Sequence, residues 1–232
     1  MKISKLLIKD KKVKKAPIEL EFMDERMLQY PSVALGMLSK EITNMSYKAI
    51  QALNLAVNSF FDKDDRRDEI EEINTNLTHT NAAVIEYLVK IAAKKISYAE
   101  ECTVSAYHHN LNDVLRIGEI ADNIAKYTQQ RIKEELEFSD KVIVEIGQMT
   151  EKINEMYKLV EADFMARNKA LKPEIDKIEE SIDAMRADLV NGHLERLKAG
   201  TCQPQSSGVF INLVNNLERA ADHLTYISDS IE

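Results

Sequence analysis

LNDVLRIGEIADNI (residues 111–124) and VNNLERAADHLTYI (residues 214–227) align without a gap. Asn112 meets Asn215, Arg116 meets Arg219, Glu119 meets Asp222 and Ile124 meets Ile227. Upstream, EIEEINTNL (69–77) aligns on EIDKIEESI (174–182), so that Ile70 meets Ile175, Glu71 meets Asp176 and Ile73 meets Ile178. The offset is about 104 residues in both cases. Apolar residues in these segments recur every three or four positions, the period of a helix with one buried face. A repeat of this length is one supersecondary unit carried twice in tandem.

Working outward, each unit has room for three helices. The first helix opens after Pro31, with Ser32 as a candidate N-cap, and runs through Val33, Leu38, Ile42, Met45, Leu53 and Phe60 to near Asp62. Asp62 to Asp65 is a polar connector, and the second helix spans about 66–96. Ser97 with Glu100 forms a capping-box pattern and starts a third helix that fades near Glu135. Ser139 caps a fourth helix reaching about Asn168, Lys172–Pro173 opens a fifth that ends near Lys198, and a sixth covers about 209–231. The turn-rich stretch GTCQPQSSG (200–208) separates the last two. The expected fold is therefore all-α: six long helices in two tandem antiparallel three-helix bundles, residues 31–137 and 138–232, behind a basic arm and linker, 1–30. Gly118 and Gly147 fall inside helices, at expected close helix–helix contacts.

Composition agrees. Only 6 Gly and 4 Pro occur in 232 residues, too few chain-breakers for a sandwich, a propeller or a βα-alternating enzyme. The two cysteines, Cys102 and Cys202, make no CxxC pair and are expected to be one buried and one loop thiol. No apolar run is long enough to span a membrane, and the run Leu6–Ile8 is too short for a signal peptide. Residues 1–15 carry Lys2, Lys5, Lys9, Lys11, Lys12, Lys14 and Lys15 against Asp10, net +6, which within a total of −8 leaves −14 for the rest. So acidic a body excludes nucleic acid as a partner. The lysine arm suits an anionic membrane surface, and a solvated tail is the plainer alternative.

Two acid pairs stand at i,i+4 on successive helices: Glu179 with Asp183, and Glu218 with Asp222. That spacing puts both carboxylates of a pair on one face. Two such helices packed antiparallel present four carboxylates to one region, a donor set suited to Mg²⁺, Mn²⁺ or iron. Spacing alone is weak, because 39 acids in 232 residues give about six such pairs by chance. The plainer reading is a solvated face with Lys177 and Arg219 as counterions. No Glu-x-x-His element exists, which excludes a ferritin-like di-iron site. His109 and Asp113 are i,i+4, His223 follows Asp222, and adjacent His108 and His109 point about 100° apart, so they do not chelate together. No Gly-rich phosphate loop and no nucleophile–base arrangement occur, so the chain carries no catalytic residues and is expected not to be an enzyme.

NLERAAD (216–222) resembles the element that ends each bundle of PhoU-type phosphate-uptake regulators. HLERLKAGTC (193–202), GVFINLVNNLE (208–218) and FMDERMLQYPSVALG (22–36) are similar to the PhoU-like module and linker that follow the last membrane helix of bacterial Na⁺/phosphate cotransporters. The resemblance covers about residues 20–232 and implies two three-helix bundles. It also implies an acidic signature that binds metal, kept here as Glu179/Asp183 and Glu218/Asp222, with a divalent or iron cation as cofactor. The first bundle departs from it, with Asn74/Thr78 and Leu115/Glu119 at those places, while Glu71, Asp113 and Asp122 lie nearby out of register.

Three functions follow. The first is the cytoplasmic module of a Na⁺/phosphate cotransporter, at the inner face of the cell membrane, in contact with the transporter's membrane domain. The second is a stand-alone PhoU-type regulator working with a separate phosphate transporter and a sensor kinase. The third is a ligand-free helical scaffold. A lysine-rich stretch ahead of the linker favours the first, because such stretches follow membrane helices on the cytoplasmic side. A homodimer is left open.

Overall fold

The computed structural model describes residues 20–231. The lysine arm, Lys2 to Lys15, lies outside them. Six α-helices account for most of the described chain: α1 (Pro31–Asp62), α2 (Arg67–Ala92), α3 (Tyr98–Lys133), α4 (Asp140–Ala166), α5 (Lys172–Lys198) and α6 (Ser207–Asp229). No strand occurs among the described residues. The helices α1–α3 pack on one another, α4–α6 do the same, and the two bundles meet through α1 against α4 and α3 against α6. Among the described residues, no helix is long and apolar enough to cross a membrane.

Each helix buries one stripe. On α1 the stripe is Leu35, Leu38, Ile42, Met45, Ala49, Leu53, Ala56 and Phe60, and on α6 it is Phe210, Leu213, Val214, Leu217, Ala220, Ala221 and Leu224. These side chains join into one hydrophobic cluster that runs through both bundles. Where α1 meets α4, Asn54 and Asn154 exchange side-chain amide hydrogen bonds in both directions, at 2.8 and 2.9 Å. A half-buried amide pair in which each side chain both donates and accepts lowers the cost of desolvating them.

Several helix ends differ from expectation. Ser32 is not an N-cap. The helix starts one residue earlier with Pro31 in its first turn, and the Ser32 hydroxyl donates to Glu100 Oε1 at 2.6 Å, tying α1 to α3. The capping box at Ser97 and Glu100 is present in full. Ser139 precedes α4, yet its side chain makes no capping bond. The end of α2 comes at Ala92 rather than near 96, and α6 begins at Ser207 after a 3-10 turn, Pro204–Ser206, inside the expected loop. Gly118 is a close contact: a Cβ there would stand 2.6 Å from Asn74 Oδ1. Gly147 is an ordinary one, with Phe61 Cε2 at 3.9 Å. Neither cysteine is fully buried; Cys102 and Cys202 are both half-buried and free.

Arg131 closes the far end of the first bundle. It is 4 % exposed, donates to the carbonyls of Phe60 and Leu136, and lies over the Phe60 and Phe138 rings at 4.8 and 5.1 Å. The Phe60 carbonyl belongs to the last turn of α1 and the Leu136 carbonyl lies just past α3, where helices leave acceptors unfilled. At the near end, the linker folds onto α1 and α2. Buried Glu41 accepts from the Phe22 N–H at 3.0 Å, and the Tyr87 hydroxyl donates to the Asp24 carbonyl at 2.8 Å.

Candidate functional site

The acid pairs of the second bundle sit at the edge of the α5–α6 seam. On α5, Ile175, Ile178 and Ile182 face the core, and Glu179 and Asp183 each follow one of them. On α6, Leu217 and Ala221 are buried, and Glu218 and Asp222 each follow one of those. The register of the two apolar stripes therefore brings the four carboxylates to one side of the seam. Glu179, Glu218 and Asp222 are half-buried and Asp183 is exposed.

Their electrostatics show that they sense one another. Partial burial, then the charges of Asp183 and Asp222, push the Glu179 carboxyl above its ordinary range. Partial burial and Asp222 push Glu218 up, while Arg186 pulls it down. Partial burial and Asp183 raise Asp222, against His223 and Arg219. Burial first, and like charge after it, disfavour the ionised forms, and a nearby cation would favour them. All four donors are oxygen, which suits a hard or borderline ion and not a thiolate-seeking one. Among the described residues, no three Asp, Glu, His or Cys side chains already stand in ligating geometry, so a cation would have to draw these side chains together.

The counterion differs from the expected ones. Arg186 Nε lies 3.6 Å from Glu218 Oε1 and is enclosed without a hydrogen bond. Arg219 acts on Asp222 only after His223, and Lys177 is exposed. The signal for Arg186 was its place one helical turn after Asp183. His223 was missed as a link between bundles: its Nδ1 lies 2.9 Å from Asp113 Oδ1, across the α3–α6 contact. His109, the intrahelical candidate for Asp113, is exposed.

The equivalent place in the first bundle is built for something else. Asn74 Nδ2 donates to the Gly118 carbonyl at 2.9 Å, a bond that a carboxylate at 74 cannot make. Thr78 Oγ1 donates to the Asn74 carbonyl, and Leu115 is apolar. A groove of about 300 Å³ opens here, bordered by Arg67, Glu71, Glu119 and Asp122. Protein cations already serve two of its acids: Lys126 Nζ is 2.7 Å and Arg67 Nε 3.8 Å from Asp122, and Arg116 pairs with Glu119. The two halves of the repeat have thus diverged, one keeping four carboxylates and the other only Glu119, with the helix-locking amide of Asn74, Thr78 and Leu115 in the remaining places.

The profile of the PhoU domain family matches residues 42–128 and again 142–231. Among solved structures, the chain is similar to the phosphate transport system regulatory protein PhoU from Streptococcus pneumoniae, with a TM-score of 0.78 and 16 % identity over 87 % of this chain and 94 % of that one. It is also similar to PhoU from Pseudomonas aeruginosa, with a TM-score of 0.68 and 17 % identity over 89 % of this chain and 94 % of that one. Comparison with curated protein sequences gives no match.

Proposed function

The chain belongs to the PhoU domain family, and from that premise we propose that it is a non-catalytic regulator of phosphate uptake of the stand-alone kind. The observation that carries this reading is mutual coverage: two PhoU regulators are each matched over 94 % of their length by 87 % and 89 % of this chain. The cotransporter-tail reading, first on sequence, falls behind it. Its main support was the lysine arm and the linker FMDERMLQYP, and the described part of that linker folds back on α1 and α2 as part of the bundle.

Within this reading, Glu179, Asp183, Glu218 and Asp222 take up a divalent or iron cation in the second bundle. What supports this is that partial burial, and after it mutual repulsion, disfavour these carboxylates, and a bound cation would offset both. Metal would add charge to this face of α5 and α6 and so change what a phosphate transporter or sensor kinase meets there. The lysine arm adds weak attraction to an anionic membrane, on the order of 1 kcal/mol per lysine near the surface.

The test is deletion in the native host. Loss of the protein should change phosphate uptake and a phosphate-starvation reporter, and the intact gene should restore both. Unchanged uptake and reporter would leave the scaffold reading in its place. Fractionation separates the other two: a stand-alone regulator leaves the membrane in high salt, whereas a transporter tail stays with it.

A further inference from the structure

A nucleophile and a base meet at the other end of α5 from the acid cluster. Between the last turn of α5, the loop after it and the starts of α4 and α6 is a cavity of about 290 Å³, and His193 and Cys202 both line it. His193 belongs to α5, and Cys202, nine residues later, to the loop. No local motif joins them; the fold of the loop against the helix does.

His193 is fixed on several sides. It is 3 % exposed, its ring stacks on Phe210 with centroids 4.6 Å apart, and its Nε2 has Ser207 Oγ at 3.0 Å. Among the described residues, the other ring nitrogen, Nδ1, has a single hydrogen-bonding neighbour, Cys202 Sγ at 3.8 Å. The tautomer that donates its Nε2–H to Ser207 leaves the Nδ1 lone pair facing the sulfur. The thiol has one competing acceptor, the Gln203 carbonyl at 3.9 Å.

The charges around the pair favour proton transfer out of the thiol. Burial, and after it the Arg196 charge, hold the imidazole below its ordinary pKa, so at pH 7 it is neutral and open to a proton. Arg196 lines the same cavity, and a cation there favours negative charge developing on sulfur. Glu137, the acid on the wall, is paired with Lys63 Nζ at 2.5 Å. Cys102 supplies the contrast. It is half-buried as Cys202 is, but its sulfur makes no hydrogen bond among the described residues. It stands near the start of α3, about 45 Å along that helix from the end nearest the cavity, so the two thiols do not pair within one chain.

We propose that Cys202 is a peroxide-reactive thiol with His193 as its base, which makes this cavity a site of oxidative modification by hydroperoxides. Sγ attacks one oxygen of the hydroperoxide as Nδ1 takes the thiol proton. The S–O bond forms, the O–O bond breaks, and the departing hydroxide collects the proton from the imidazolium and leaves as water. Sulfur is oxidised to the sulfenic acid and the peroxide is reduced. With no second thiol at hand in the chain, an external thiol completes the cycle by forming a mixed disulfide. The proposal stands on the Cys–His pair and does not rest on the regulatory reading.

The test treats the full chain at pH 7 with hydrogen peroxide in the presence of dimedone, which traps sulfenic acid, and follows adducts at both cysteines by mass spectrometry. Cys202 should be labelled about tenfold faster than Cys102, less than the usual gain from a positioned base because burial weakens this one. In concentrated urea the two rates should converge. His193→Gln keeps an amide toward Ser207 but offers no base, and in protein shown folded by circular dichroism it should bring Cys202 down to the rate of Cys102. The urea comparison needs no variant and decides the matter if His193→Gln does not fold. Equal labelling of the two cysteines in the native protein, an advantage of Cys202 that persists in urea, or one that survives His193→Gln in the folded protein overturns the proposal.

Discussion

Replacing Glu218 with Gln together with Asp222 with Asn should stabilise the metal-free protein and remove its response to metal. The change eliminates five carboxylate–carboxylate repulsions: Glu218 with Asp222, and each of these with Glu179 and Asp183. Like charges one helical turn apart cost about 0.2–0.5 kcal/mol per pair, and the same size for the cross-helix pairs gives about 1–2.5 kcal/mol in all. Loss of the Arg186 contact, 3.6 Å long with Glu218 22 % exposed, returns about 0.5 kcal/mol. The net gain is about 1 kcal/mol, a rise in Tm of about 2–4 °C for a chain of this length. In the unmodified protein, a cation present at a hundred times its Kd should add about 2.7 kcal/mol. Differential scanning fluorimetry with and without Mn²⁺, Mg²⁺, Zn²⁺ and Fe²⁺ reads both effects. The paired change Asp113→Asn with Glu119→Gln should leave the metal shift intact. A metal-free Tm that drops by several degrees in the Glu218/Asp222 variant would refute the repulsion argument. Failure of all four ions to move the unmodified protein would refute the metal centre.

Acidity should act in the same direction as mutation. The folded state holds the Glu179, Glu218 and Asp222 carboxyls above their unfolded values, so it binds more protons than the unfolded chain. This contribution is full below the ordinary carboxylate range and is lost as pH rises through the raised values. The stability difference between the double variant and the unmodified protein should therefore shrink as metal-free samples are taken from pH 7 to pH 5, and a difference that widens on acidification contradicts it. Gly118→Ala should cost about 1–3 kcal/mol in urea denaturation, because its Cβ meets Asn74 Oδ1 at 2.6 Å, whereas Gly147→Ala, with 3.9 Å of room, should gain up to about 1 kcal/mol. Arg131→Met should lower stability by about 2–4 kcal/mol by stranding the Phe60 and Leu136 carbonyls, and an unchanged urea midpoint would count against the capping role. Binding to anionic liposomes should require residues 1–15 and disappear at high salt; binding indifferent to salt argues against the lysine arm.

Fold was more legible than site, for a physical reason. Helix identity follows from the spacing of apolar residues, which is local, so the stripes of α1 and α6 were readable from the chain alone. Ends were less so: Ser32 has the chemistry of a cap, but Pro31 starts the helix before it and Glu100 claims its hydroxyl from another helix. At the acid cluster, the i,i+4 spacing within each helix was visible, while the register that brings α5 and α6 together depends on packing. That is why Arg186 was passed over for Lys177 and Arg219, and why His223 was not linked to Asp113, 110 residues away in sequence. The loss of the first-bundle site was visible as Asn74. Its purpose, a donor to the Gly118 carbonyl, needed the neighbouring helix.

The reciprocal amide pair of Asn54 and Asn154 has a consequence for assembly. The partners are 100 residues apart, nearly one repeat, and they lie on equivalent helices, α1 and α4. The other contact between bundles likewise joins equivalents, α3 and α6. When a surface meets its own counterpart in this way the arrangement is isologous, with a pseudo-two-fold axis running through the amide pair. The chain is in effect a homodimer of three-helix units fused head to tail. An isologous contact closes on itself, so this face is spent and cannot propagate into a filament. The helices α2 and α5 take no part in the contacts between α1 and α4 or between α3 and α6, and each carries one side of the diverged pair of sites.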